Sequence, residues 1–210
     1  MMKTSLSYSP VIAAVLLLLM FNTAFSINGS ALQRLKRSYL NIETLKGGFV
    51  QKTYINDLKK NTLFKGEFYL KRPGLMRWNY TSGSSDTVYL KGDEIIIYQP
   101  SESQAFISDI NRFGMERSPL RILLNLDDIE KDYSVKEEGN RIILHPKGSS
   151  VIRSLELVLD EAPFPVKRII FSDRYGNRTE IEVMDLTVNG KIPEATFTFK
   201  LPEGTTLIRQ

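Results

Sequence analysis

From Thr44 onward the apolar residues recur at every second position, and they do so for most of the chain. The first series covers Thr44 to Ile55, Thr62 to Lys71, Leu75 to Tyr80, Thr87 to Lys91, Glu94 to Gln99 and Ser103 to Ser108. A second covers Tyr133 to Glu138, Arg141 to Pro146, Ile152 to Leu159, Val166 to Ser172, Arg178 to Val188 and Thr196 to Lys200. Successive side chains of a strand point to opposite faces, so a period of two marks a sheet with one face buried. Asn56-Asp57, Pro73-Gly74, Ser82-Gly83-Ser84, Gly92-Asp93, Gly139-Asn140, Tyr175-Gly176-Asn177 and Asn189-Gly190 separate the segments as turns. Short strands joined by such turns, without helices between them, predict an antiparallel sheet or barrel.

Two segments depart from this period. Ser30 with Gln33 three residues on forms a capping box. Leu32, Leu35, Tyr39 and Ile42 then recur at spacings of three and four, the mark of one apolar helical face. Between the two strand series lies SPLRILLNLDDI, Ser118 to Ile129, with Ser as N-cap and Pro119 at the first helical position. Its apolar residues predict a short helix covering the sheet, a lid or plug. With no repeat and no linker, residues 27–210 are expected to form a single domain.

The chain begins with Lys3, an apolar run from Val11 to Phe21 and the small-x-small triplet Ala24-Phe25-Ser26. That order predicts a secretory signal peptide at 1–26, cleaved after Ser26. The run is shorter than the roughly 20 residues of a membrane-spanning helix. Cysteine is absent, so an exported domain must rely on core burial rather than disulfides. It also has no Cys for N-terminal lipidation. A periplasmic location is the expectation. Without Lys3 the chain carries 27 basic and 24 acidic side chains, a net charge of +3 spread along its length. That is too weak for a nucleic-acid partner.

Catalytic patterns are missing. His145, in RIILHP, is the sole histidine, so neither a metal site nor a Ser-His or Cys-His pair can be assembled. It reads as a strand-end or surface residue. Asp127-Asp128 and Glu137-Glu138 are adjacent pairs whose members point apart, and they read as helix-end and turn solvation. There is no G-x-S-x-G elbow, phosphate loop or H-E-x-x-H.

The remaining candidate is apolar surface on strands. Met76, the only tryptophan Trp78, and Tyr80 share one face of a strand, as Phe64, Gly66, Phe68 and Leu70 do on the preceding one. Arg72-Pro73-Gly74-Leu75 fits a type II turn joining them as a hairpin. By pattern alone this face reads first as packed core, and pattern does not separate a filled barrel from one that holds a ligand.

Several longer stretches carry a resemblance: FVQKTY (Phe49 to Tyr54), GEFYLKRPGLMRWNY (Gly66 to Tyr80), DTVYLKGDEIIIYQP (Asp86 to Pro100), SPLRILL (Ser118 to Leu124) and FTFKLPEGTTL (Phe197 to Leu207). In this order, after a signal peptide and an amphipathic helix, the chain resembles the periplasmic outer-membrane lipoprotein carrier family (LolA). The resemblance implies an α+β, mostly antiparallel fold: an unclosed half β-barrel with a helical lid. Its concave face would hold the acyl chains of lipoproteins travelling from the inner to the outer membrane, with no catalysis, cofactor or metal. Leu35, Tyr39, Phe68, Met76, Trp78 and Tyr80 map onto the cavity wall, and Leu120, Leu123 and Leu124 onto the lid. Arg72 maps onto an arginine that hydrogen-bonds to the lid when the cavity is empty, a latch. The implied partners are acylated lipoproteins, an inner-membrane ABC-type release complex and, where one exists, an outer-membrane receptor, with the carrier itself a monomer.

The chain also departs from the expected pattern. Arg121 interrupts the apolar lid, Met76 stands where an aromatic would be unsurprising, and the short tail after Phe199 argues against an added C-terminal strand. Other readings stay open at this level: a related half-barrel binding or sensing another lipid, an exported hydrolase, or a structural envelope protein with a filled core.

Overall fold

The computed structural model describes residues 29–110, 122, 126, 129–161 and 164–209. The amphipathic segment is helix α1 (Ala31–Leu40), and its Ala31, Leu32, Leu35 and Tyr39 are buried as their spacing predicts. Ser30 Oγ accepts the Gln33 N–H at 3.2 Å, satisfying one of the amides a helix start leaves without an internal partner.

The alternating segments become β1 (Thr44–Ile55), β2 (Lys60–Lys71), β3 (Leu75–Ser82), β4 (Thr87–Lys91), β5 (Glu94–Gln99) and β6 (Gln104–Asp109). The second series becomes β7 (Tyr133–Glu138), β8 (Arg141–Pro146), β9 (Ile152–Leu159), β10 (Val166–Asp173) and β11 (Arg178–Val188). With β12 (Thr206–Arg209) they form one 12-stranded sheet among the described residues, ordered β12-β6-β5-β4-β3-β2-β1-β11-β10-β9-β8-β7. The two series meet where β1 pairs with β11, placing Phe49 opposite Val183 and Gln51 opposite Ile181. The outer strands β12 and β7 do not pair with each other, so the sheet stays unclosed. A sheet this wide curls rather than lying flat. Its inner face gathers Leu45, Phe49, Phe68, Trp78, Ile95, Leu144 and Leu157 into one core with Leu35 and Tyr39 of α1. The expected half-barrel is what forms.

The expected hairpin forms, with Lys71 paired to Leu75 across Arg72-Pro73-Gly74; Gly74 has φ +74° and the Arg72–Pro73 peptide bond is cis. Two expectations near the C-terminus fail. Thr196 to Lys200 is not a strand: Glu194–Phe197 is a 3-10 turn and the chain beyond it is irregular. Pro193 and Pro202 flank this stretch and have no N–H to offer a ladder. Its apolar side chains instead cover the sheet from outside. Phe197 is buried, and the Phe199 ring lies 5.5 Å from Tyr89 and 5.6 Å from Tyr98. The tail does add a strand, since β12 pairs in parallel with β6 from Thr206↔Gln104 to Arg209↔Ile107. A parallel partner needs a crossover, and the segment lying over the outer face supplies it.

Of the expected lid, Leu120, Leu123 and Leu124, together with Arg121 and Asp127-Asp128, lie outside the described residues. Ile122 and Leu126 are buried with the core. Ile129–Asp132 forms a short helix, α2, that leads straight into β7.

Candidate functional site

The inner wall is built around Trp78. Cross-strand pairing sets Phe68 opposite Trp78 and Leu70 opposite Met76, so all four side chains share one face. Trp78 stacks on Phe49 at 4.0 Å and on Phe68 at 5.5 Å, and Tyr80 meets Phe49 edge-on at 5.4 Å. Gly66 makes this possible. It sits between Phe49 and Tyr80 in the register, and a Cβ there would lie 2.6 Å from the Phe49 ring and 2.1 Å from the Asn79 carbonyl oxygen.

Helix α1 lies in the trough. Leu35 and Tyr39 reach the core at 0 % and 3 % exposure, among Phe68, Met76 and Trp78 at 1–2 %. The six residues assigned to the wall are therefore brought together: five are buried and Tyr80 is half-buried.

Arg72 meets α1 at its C-terminal end. Its Nη1 donates to the Tyr39 carbonyl at 2.6 Å and the Ile42 carbonyl at 3.4 Å, and its guanidinium lies 5.2 Å from the centre of the Tyr39 ring. The lid that the expected latch would hold lies outside the described residues. Among the described residues Arg72 bonds to the last turn of α1 and the residue just beyond its cap. A helix C-terminus presents unpaired carbonyls and partial negative charge, which suits a guanidinium. The Tyr39 hydroxyl is buried without a hydrogen-bond partner among the described residues. Burial pushes its phenol well above the ordinary tyrosine range, against the opposing pull of Arg72, so the hydroxyl stays neutral inside the core.

The other end of α1 is held by a residue that sequence reasoning assigned to turn solvation. Glu137, on β7, accepts the Ala31 N–H at 2.6 Å and the Leu32 N–H at 3.3 Å. A carboxylate over the first turn satisfies free amides and complements the helix dipole. No local pattern could reveal this, because 106 residues separate Ala31 from Glu137. Desolvation raises the Glu137 carboxyl, but the Ala31 amide, the Ser30 hydroxyl, the Leu32 amide and Arg34 outweigh it and hold it below the ordinary 4.5. A depressed carboxylate stabilises the folded state above the unfolded-state value and loses that effect as pH falls through the folded one. Urea titration of Glu137→Gln against the parent protein should show a larger deficit at pH 7 than at pH 3. An equal deficit at both pH values would mean that the charge is not what clasps the helix.

Beside α1 a cleft of about 760 Å³ opens between the helix and the β7–β8 and β9–β10 turns, lined by Arg34, Leu35, Asn140, Asp160 and Glu161 among others. Its charged lining makes it a poor seat for a hydrocarbon chain, but at Leu35 it adjoins the core. His145 is exposed on β8, with Nδ1 3.4 Å from the Arg153 carbonyl.

The family model described as outer membrane lipoprotein carrier protein LolA matches residues 40–200. A protein of Francisella philomiragia named outer-membrane lipoprotein carrier protein is 28 % identical over 200 residues, covering 91 % of this chain and 96 % of its own. One of the same name from Pseudomonas aeruginosa is 26 % identical over 191 residues, covering 89 % and 91 %. Among solved structures, an uncharacterized conserved protein from Thermus thermophilus aligns with a TM-score of 0.54 at 15 % identity, over 86 % of this chain and 97 % of that one. The last likeness concerns the fold alone.

Proposed function

This chain belongs to the outer membrane lipoprotein carrier (LolA) family, and on that premise we propose that it takes the acyl chains of lipoproteins into its half-barrel and ferries them across the periplasm. Release from an inner-membrane ABC-type complex loads it, and the outer membrane, through a receptor where one exists, receives the cargo. No bond is made or broken. The chain acts as one exported domain, a monomer, with the segment 1–26 removed.

The observation that carries this reading is Arg72 at the end of an apolar trough, bonded to the backbone of the helix lying in it. A guanidinium at a helix C-terminus also serves stability, but at the end of an apolar trough it holds the helix by hydrogen bonds that an entering ligand can break. Burying acyl chain is worth about 0.8 kcal/mol per CH₂, so one long chain supplies on the order of 10 kcal/mol toward lifting α1 out. Against this stand the Arg72 hydrogen bonds, roughly 1.5–3 kcal/mol to a charged donor, and the apolar contacts of Leu35 and Tyr39. The Tyr39 hydroxyl, buried without a hydrogen-bond partner among the described residues, favours opening, since an orphaned buried polar group costs about 1–3 kcal/mol. Loading and closure are thereby kept near balance, which a carrier working without ATP in the periplasm requires. The aromatic wall of Phe49, Phe68, Trp78 and Tyr80 together with flexible Met76 suits a chain of variable path.

Mass spectrometry of the protein isolated from periplasm tests the reading. Co-purifying acylated lipoprotein is the expected result. Bound free phospholipid would instead favour a relative handling another lipid, and a ligand-free protein that takes up no lipopeptide would sink the carrier reading.

A further inference from the structure

We propose that a polar chain set into the concave face, Tyr80–Gln51–Thr53–Thr179, receives the ester and amide carbonyls of the cargo's lipid and so selects ester-linked acyl chains over plain alkyl chains. This rests on the carrier reading above and adds a ligand orientation and a chemical preference to it.

The placement follows from register. Phe49, Gln51 and Thr53 lie on the same face of β1, Trp78 and Tyr80 on the same face of β3. Thr53 pairs with Thr179 of β11, and Gln51 with Ile181. From Phe49 and Trp78, both buried, the wall therefore turns polar toward the β1–β2 turn. The polar side chains touch in series. Tyr80 Oη donates to Gln51 Oε1 at 3.0 Å, Gln51 Nε2 donates to Thr53 Oγ1 at 3.3 Å, and Thr53 Oγ1 lies 3.1 Å from Thr179 Oγ1. Tyr80, Gln51 and Thr53 are half-buried and Thr179 is 6 % exposed. The row is thus within reach from the trough, and Phe64 and Ile55 at half burial flank it.

A wall meant only for hydrocarbon gains nothing from these groups, because each donor facing an alkyl chain loses its water without replacement. Ester and amide carbonyls of an acylated cysteine are the natural counterpart, being acceptors placed where acyl chains begin. The row has donors to offer. Gln51 carries two amide hydrogens and spends one on Thr53, and the two threonine hydroxyls share a single bond, leaving one hydrogen uncommitted among the described residues. The ligand then lies with its acyl tails toward Arg72, where Leu70, Met76 and Leu35 are fully buried. Its carbonyls lie on the polar row, and the lipoprotein polypeptide leaves past the β1–β2 turn.

The experiment uses the full mature chain and two probes, a cysteinyl peptide bearing a diacylglyceryl group with ester-linked palmitoyl chains and its dihexadecyl ether analogue. Fluorescence of the sole tryptophan, Trp78, sits in the wall and reports binding. One neutral hydrogen bond predicts that the ester probe binds about three- to tenfold more tightly. Gln51→Leu should erase that preference by weakening the ester probe while sparing the ether one, and Tyr80→Phe, a smaller change to the wall, should reduce it. Equal affinity of the parent protein for both probes overturns the polar row and leaves the carrier reading standing. So does a Gln51→Leu variant that weakens both probes alike. If the parent binds neither probe, the carrier reading fails and the row falls with it.

Discussion

Arg72→Leu should leave the half-barrel folded and retain acylated cargo. The side chain holds α1 down through the Tyr39 and Ile42 carbonyls, and those bonds compete with any ligand that must displace the helix. Leucine removes the competitor and adds apolar surface to the trough. Losing roughly 1.5–3 kcal/mol from the closed form makes bound cargo about ten- to a hundredfold harder to release. The assay follows transfer of a purified lipoprotein from the loaded protein to acceptor vesicles, with circular dichroism as the check on folding. Arg72→Lys should fall in between, since an ammonium keeps the charge but lacks the planar guanidinium that sets Nη1 against both carbonyls and lies 5.2 Å from the centre of the Tyr39 ring. Unchanged release from a folded Arg72→Leu protein would falsify the latch.

Gly66→Ala carries the largest expected effect on stability. The added Cβ would meet the Asn79 carbonyl oxygen at 2.1 Å and the Phe49 ring at 2.6 Å. A ring can turn aside, but a backbone carbonyl paired across the hairpin cannot. The β2–β3 pair must therefore part locally and the Phe49–Trp78 stack must shift. Forced overpacking of this kind costs about 3 kcal/mol, which for a domain of this size lowers the melting temperature by roughly 6–12 °C. Near-ultraviolet circular dichroism of Trp78 should weaken with it. A Gly66→Ala protein melting within a degree of the parent would show that the sheet has slack at this point.

The residues that proved most informative differ in how far they could be read in advance. Trp78 and Met76 announced themselves, since alternation places them on one face and the Pro73-Gly74 turn pairs them with Phe68 and Leu70. Arg72 was legible only through family resemblance; the Tyr39 and Ile42 carbonyls it meets lie some thirty positions before it in the chain. Gln51 stood in a quoted motif without a role. Its links to Tyr80 and Thr53 appear once β1, β2 and β3 are in register. Glu137 was misread because its helix partner is remote, and Thr196 to Lys200 because alternation alone cannot distinguish a strand from a strap laid over the outside of one.

What the sequence determined by itself is whatever depends on neighbours: the period of two, the turns with their positive-φ glycines, the apolar stripe of α1 and the face each strand buries. Side-chain direction and turn geometry are properties of a few consecutive residues, so no folding is needed to read them. The tertiary structure decided which strands meet without a hairpin between them, β1 with β11 and β12 with β6. It also decided which charges hold α1 at its two ends and where the inner wall turns from aromatic to polar. Those outcomes are set by which apolar faces can be buried together once the sheet has curled, and that is a property of the whole chain rather than of any stretch of it.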